Sequence, residues 1–212
     1  SDFIKLGENL PRQSEVEKLW AEASDDDICD ILYTSGTTGE SKGVILTYGQ
    51  YRAGLAANQQ CVPINDQDRA INFLPFTHIF ERAWSYLCIS VGAQLIVNTY
   101  PKEIQDSMRE THPTCMSAVP RFWEKVYTAV KGRMESSSPV QRKLMQAALS
   151  VGRKRNVYYL GRGKRVPIHL ELQYQVYNRT VLSLIRKQLG LENPHIFPTA
   201  GAYVSPEVEE FV

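Results

Sequence analysis

Neither sign of charge is in excess: 24 Lys and Arg stand against 23 Asp and Glu, a net charge of +1. That balance excludes both a generally polyanion-binding basic protein and an acidic disordered tail. Long apolar runs are missing too. None approaches the roughly 18 residues of a membrane-spanning helix. Ser1 to Trp20 mixes charges and holds no apolar core of the leader type, so a chain without an export signal, in the cytoplasm, is expected. Cysteine is scarce. Cys29, Cys61, Cys88 and Cys115 lie far apart, with no CxxC pair and no His at metal-ligand spacing, which excludes a disulfide framework or a zinc ribbon. They are expected to be reduced core thiols.

What remains is ordinary globular material. The 212 residues are 43% hydrophobic, enough for one or two domains at about 150 residues each, with a substantial core. Short apolar or β-branched runs recur at Ile31 to Tyr33, Val44 to Leu46, Ala70 to Leu74, Gln94 to Val97, Cys115 to Val119 and His195 to Phe197, each with the length of a buried strand. Helical spacing fills several of the intervals. Phe122, Trp123, Val126, Tyr127, Val130 and Met134 share one face, and Tyr174, Tyr177, Val181, Leu184 and Ile185 share another. Thr47 with Gln50 fits a capping box, and Pro139 and Pro206 follow Ser at helix starts. Strands separated by helices predict an α/β layered domain, a mostly parallel sheet flanked by helices. A new helix opens at Ser205 just before the last residue, so an incomplete part of a larger domain is expected.

The richest stretch is Tyr33-Thr34-Ser35-Gly36-Thr37-Thr38-Gly39-Glu40-Ser41-Lys42-Gly43-Val44, lying between two strand-like runs. Glycine permits positive φ and close approach to the main chain, so successive N–H groups can converge on an anion. The hydroxyls of Thr34, Ser35, Thr37 and Thr38 add rotatable donors, and Lys42 adds a mobile point charge. The pattern suits a polyphosphate. It is not GxxxxGK[ST], because Ser41 stands where that motif needs Gly and Gly43 where it needs Ser or Thr. The plainer reading of the same residues is a mobile polar hairpin.

Tyr33 to Val44 resembles the signature of the AMP-forming adenylating enzymes, with Ser41 in place of the Pro common before the Lys. Leu74-Pro75-Phe76-Thr77-His78-Ile79-Phe80-Glu81-Arg82 and Val119-Pro120-Arg121-Phe122-Trp123-Glu124-Lys125-Val126 resemble blocks of the long-chain fatty acid CoA ligases. The resemblance runs over most of Ile28 to Val212 and implies part of the large N-terminal domain of an acyl-CoA synthetase, without the small C-terminal domain. It implies ATP, Mg²⁺ and coenzyme A as cofactors and a fatty acid as substrate. By the same resemblance Thr34, Ser35, Gly36, Thr37, Thr38, Gly39 and Lys42 hold phosphate, and His78 lies near the reacting carboxylate as the candidate catalytic residue. Gly201 and Ala202, in Thr199-Ala200-Gly201-Ala202, lie against the adenine. Tyr203 departs from the small residue or Pro usual there. Arg82 stands where some members carry an aromatic gate, with Trp84 two residues on, so that gating is not carried over. The magnesium-binding Glu, the ribose-binding Asp and the catalytic Lys are expected beyond Val212, and no metal ligand is assigned in this chain. The isolated chain is therefore expected to be inactive.

Other readings remain beside this one: an adenylating enzyme for an aryl or amino acid, or a non-catalytic ATP-binding module. Arg153, Lys154, Arg155, Arg162, Lys164 and Arg165, interleaved with Tyr158 and Tyr159, form a basic cluster expected to be a solvated loop between two helices. No nucleic-acid partner is expected, and a peripheral membrane contact is left open.

Overall fold

The computed structural model describes residues 5, 7, 12–34 and 39–211. They fall into two units, residues 1–62 and 63–212.

In the first unit Gln13–Glu22 forms helix α1. The β-branched and aromatic run Ile28–Thr34 (β1) pairs with Lys42–Thr47 (β2), and Tyr48–Cys61 follows as α2. Only seven residues of sequence separate β1 from β2, and the two pair antiparallel, unlike the parallel pairing expected of most strands here. Thr47 ends β2 and caps α2 as its spacing predicts. Its hydroxyl accepts from the Gln50 N–H at 3.3 Å, and the Gln50 side chain accepts from the Thr47 N–H at 3.0 Å.

The second unit is built on a parallel sheet. Arg69–Asn72 (β3) and Gln94–Val97 (β4) pair in parallel, with Ile79–Ser90 (α3) as the crossover. The runs beginning at Cys115 and His195 extend this sheet by isolated parallel bridges: Ala70 to Cys115, Cys115 to Ile196 and Ala118 to Thr199. The Ile71 N–H donates to the Cys115 carbonyl at 3.2 Å, and the Ala118 N–H to the Pro198 carbonyl at 2.9 Å. Pro198 has no N–H to return, which is why this outer pairing stops short of a full ladder. The order across the sheet is β4, β3, 115–118, 196–199.

Helices cover it. Ile104–Thr111 (α4) precedes the third strand segment, and Pro120–Glu135 (α5), Pro139–Arg153 (α6), Ile168–Tyr177 (α7) and Ser183–Leu189 (α8) lie between the third and fourth. Pro206–Glu209 (α9) starts at Ser205 as predicted. The core joins sheet and helices through Ile71, Met108, Met116, Ala118, Trp123, Leu191 and Val208. Gly190 ends α8 at φ +73°, where an added Cβ would lie 2.3 Å from the Met108 carbonyl carbon. Only glycine lets that helix end sit against α4.

Two expectations are corrected. The basic cluster is a loop only in part: Arg153 ends α6, Lys154–Tyr159 continues it as wide π-type turns and Leu160–Arg162 is a 3₁₀ turn, while Lys164 and Arg165 do stand in the loop before α7. Not all the thiols are core either. Cys88 and Cys115 are buried, but Cys29 is half-buried and Cys61 is exposed, because it ends α2 on a helix with no buried residue.

Candidate functional site

The polyphosphate-type stretch spans the hairpin of the first unit. Thr34 and Lys42 are cross-strand partners at its mouth, and the Thr34 hydroxyl donates to the Lys42 carbonyl at 3.4 Å. Lys42 is exposed, and Gly39 has φ +96°, a conformation that a side chain would strain. Register pairs Tyr33 with Gly43, and a Cβ on Gly43 would come within 3.0 Å of Ile31 Cγ2 and 3.5 Å of the Tyr33 ring. Gly43 therefore fixes how the base of the hairpin packs. Ser35, Gly36, Thr37 and Thr38 lie outside the described residues.

In the second unit, His78 and the 199–202 turn leave the same edge of the sheet. All four strand segments run parallel, so the segment after β3 that carries His78 and the turn after 196–199 both emerge at carboxyl ends, where open α/β sheets place their ligands. The start of α5 lies between the two. Phe122 packs at a tilt against Phe73 with ring centroids 5.3 Å apart, and the buried Trp123 donates Nε1–H to the Thr199 hydroxyl at 2.9 Å. Trp123 is thus core, as its helical phase implied. His78 itself is exposed and caps α3: its N–H donates to the Pro75 carbonyl at 3.0 Å, and its carbonyl accepts from the Arg82 N–H at 3.2 Å. Arg82 closes the same turn, donating Nε–H to the Phe76 carbonyl at 3.0 Å with its guanidinium over the Phe76 ring. Trp84 is buried. Gly201 has φ +97° and open space where a Cβ would stand, so backbone conformation, not crowding within the chain, selects glycine there. Ala202 and Tyr203 are exposed beside it.

Sequence reasoning assigned no role to Glu81, the residue that ties this edge together. Its side chain is fully buried. One carboxylate oxygen accepts the Phe73 N–H at 3.1 Å, the other accepts the Ser117 hydroxyl, and the Leu74 N–H adds a third donor. Ser85 donates to the Glu81 carbonyl at 2.7 Å and accepts from the Asn72 amide. Burial raises the Glu81 carboxyl above its ordinary range, and the three donors, which favour the charged form, offset that only in part. A signal was present: Glu81 is in phase with Trp84, Ser85 and Cys88, all buried on one face of α3.

A second polar cluster closes the opposite, amino-terminal edge. Asp68 is buried and accepts the Thr114 hydroxyl at 2.7 Å and the Asn65 N–H at 3.0 Å, with His195 Nδ1 at 2.9 Å from Oδ1. Burial pushes its carboxyl up, but these hydrogen bonds and the His195 ring outweigh it and hold Asp68 below its ordinary value. This cluster pins the starts of β3 and the last strand segment, away from His78. Among the described residues no group of three or more His, Cys, Asp or Glu converges to hold a metal ion. No helix among them is long and apolar enough to cross a membrane.

Comparison with known proteins adds the family. The chain is 30% identical over its full length to the long-chain-fatty-acid–CoA ligase ACSBG2 of Mus musculus, covering 32% of that protein. It is 28% identical to the protein of that name from Gallus gallus, over 99% of this chain and 28% of the other. It is 32% identical to the peroxisomal long chain acyl-CoA synthetase 6 of Arabidopsis thaliana, over 88% of this chain and 25% of the other. The chain thus spans less than a third of the length of these relatives. The family model described as AMP-binding enzyme matches residues 3–212, nearly the whole sequence, and the chain belongs to that AMP-binding family.

Proposed function

We propose that the chain is part of the large N-terminal domain of an AMP-forming long-chain fatty acid CoA ligase. The observation that carries the reading is the shared carboxyl edge of the second unit, where His78 and the Gly201-Ala202 turn emerge together around the start of α5. Lys42 and Thr34 at the mouth of the hairpin support it, as do the names of the relatives.

In the proposed reaction a fatty carboxylate oxygen attacks the α-phosphorus of ATP, pyrophosphate leaves and an acyl-adenylate forms. The thiol of coenzyme A then attacks the acyl carbon, losing its proton, and AMP leaves. Lys42, with Thr34 and Gly39, would hold the phosphates against charge build-up, and His78 would orient the carboxylate by donating a hydrogen bond. Gly201 and Ala202 would leave a flat face free for the adenine. Mg²⁺ would neutralise phosphate charge when bound, and its ligands are expected outside this chain.

Pyrophosphate release from the full-length protein, measured across fatty and aryl acids, tests the substrate class. Preference for a long-chain fatty acid is expected, and preference for an aryl acid overturns it. Lys42→Ala should lower the adenylation rate by roughly 10² to 10³. A loss of ATP affinity alone, with the rate at saturation unchanged, would instead describe a binding module.

A further inference from the structure

The overall balance of charge hides a strong local excess. From Pro139 to Leu189 the sequence carries eleven Lys and Arg against one acidic residue, Glu171, in a chain whose net charge is +1. This stretch is a helical hairpin: α6 and its π turns run up to Arg162, Gly163 turns at φ +65°, and α7, the π segment Asn178–Leu182 and α8 run back. The acidic groups that touch it are already committed. Glu171 takes the Arg155 guanidinium in a two-point pair at 2.7 and 3.2 Å, and Glu210 pairs with Arg153. Arg162 and Lys164 both lie over the exposed Tyr158 ring, 4.9 and 4.7 Å from its centre, and neither is paired with a carboxylate among the described residues. Lys154 and Arg165 are exposed beside them.

The same hairpin exposes an apolar row. Ile168, Leu172 and Val176 stand one turn apart on α7 and are 81, 64 and 62% exposed, and Leu184 on α8 is 60% exposed. Spacing of i, i+4 puts the first three on one side of the helix. Leu160, half-exposed, lies at the tip among the cations. A solvated structural helix needs neither a row of bare aliphatic side chains nor four cations free of carboxylates at one end. A partner that accepts both has an apolar interior under an anionic surface.

We infer that the tip and α7 face of the 139–189 helical hairpin dock on an anionic lipid bilayer, with Ile168, Leu172 and Val176 entering the acyl boundary and Lys154, Arg162, Lys164 and Arg165 meeting the headgroups. Duplex nucleic acid would use the cations and leave the aliphatic row idle, and a second copy of this chain would bring like charge against like. The inference stands apart from the ligase reading, since it needs no catalysis.

The test is co-sedimentation of the 212-residue chain, and of the full-length protein, with vesicles of phosphatidylcholine alone or mixed with phosphatidylserine. Binding to the mixed vesicles, weakened by added salt, is expected. Arg162→Gln, Lys164→Gln and Arg165→Gln together should weaken it roughly 100-fold. Leu172→Ser should weaken it by about tenfold or more while leaving the circular dichroism melt unchanged, because the side chain is exposed. Absence of binding to the mixed vesicles by both proteins overturns the inference. So does equal binding by the wild type and both variants, a preference for duplex nucleic acid over vesicles, or loss of a dimer as the effect of Leu172→Ser.

Discussion

Glu81 shows how one residue can set a pH dependence. Its folded-state carboxyl is raised, so between the ordinary glutamate range and that raised value the folded chain keeps a proton that the unfolded chain releases. Stability therefore falls as pH rises through that window. Glu81→Gln should flatten this decline, as read from urea midpoints at a series of pH values, and an unchanged slope would place its origin elsewhere. Asp68 has the opposite sign: its carboxyl is lowered, so its contribution is present above the ordinary aspartate range and is lost as pH falls through the lowered value. Asp68→Asn should remove that acid-side loss in the same titration. Neither role was legible in composition. Glu81 was visible as a member of the Leu74 to Arg82 block and as a charge in phase with Trp84 and Cys88, with no role attached, and Asp68 acquires its partners from Thr114 and His195, 46 and 127 residues away.

At the scale of elements, local rules read well where they are local. The Thr47 capping box, the helices started by Pro139 and Pro206 and the apolar face of α5 all formed where spacing placed them, since each depends on residues within a few positions. The strand at 94–97 matches its sequence run, while Phe73 and Leu74 leave β3 because Glu81 takes their N–H groups. The π turns were not legible, because a row at i, i+4 suits α and π turns alike. The phosphate stretch was readable by residue type, whereas the shared carboxyl edge of His78 and Gly201 needed the strand order. Gly190 gives the sharpest element-level test. Gly190→Ala would set a Cβ 2.3 to 2.5 Å from the Met108 and Arg109 backbone at a positive φ, so a loss of about 3 kcal/mol or more is expected in thermal unfolding. A loss below about 1 kcal/mol, or a gain of the size an unstrained Gly replacement brings, would mean that α8 shifts freely on α4.

For the whole molecule, the relatives are more than three times longer, and the ligase reading expects several charge stabilisers outside these 212 residues, where removal of one such group costs roughly 10² to 10³ in rate. The isolated 212 residues should therefore form acyl-CoA at background rate only, measured by thiol consumption with ATP and a fatty acid, and turnover above background would place the whole machinery within them. The sheet carries one further consequence. Segment 115–118 sits between β3 and 196–199, and its partner on one side lies about 80 residues further along the chain, with the helical hairpin in between. On a ribosome, where the chain emerges amino end first, those backbone groups wait bare until the hairpin has been made. A nascent chain stalled before His195 would present an open strand edge to its neighbours, a natural target for holdase chaperones.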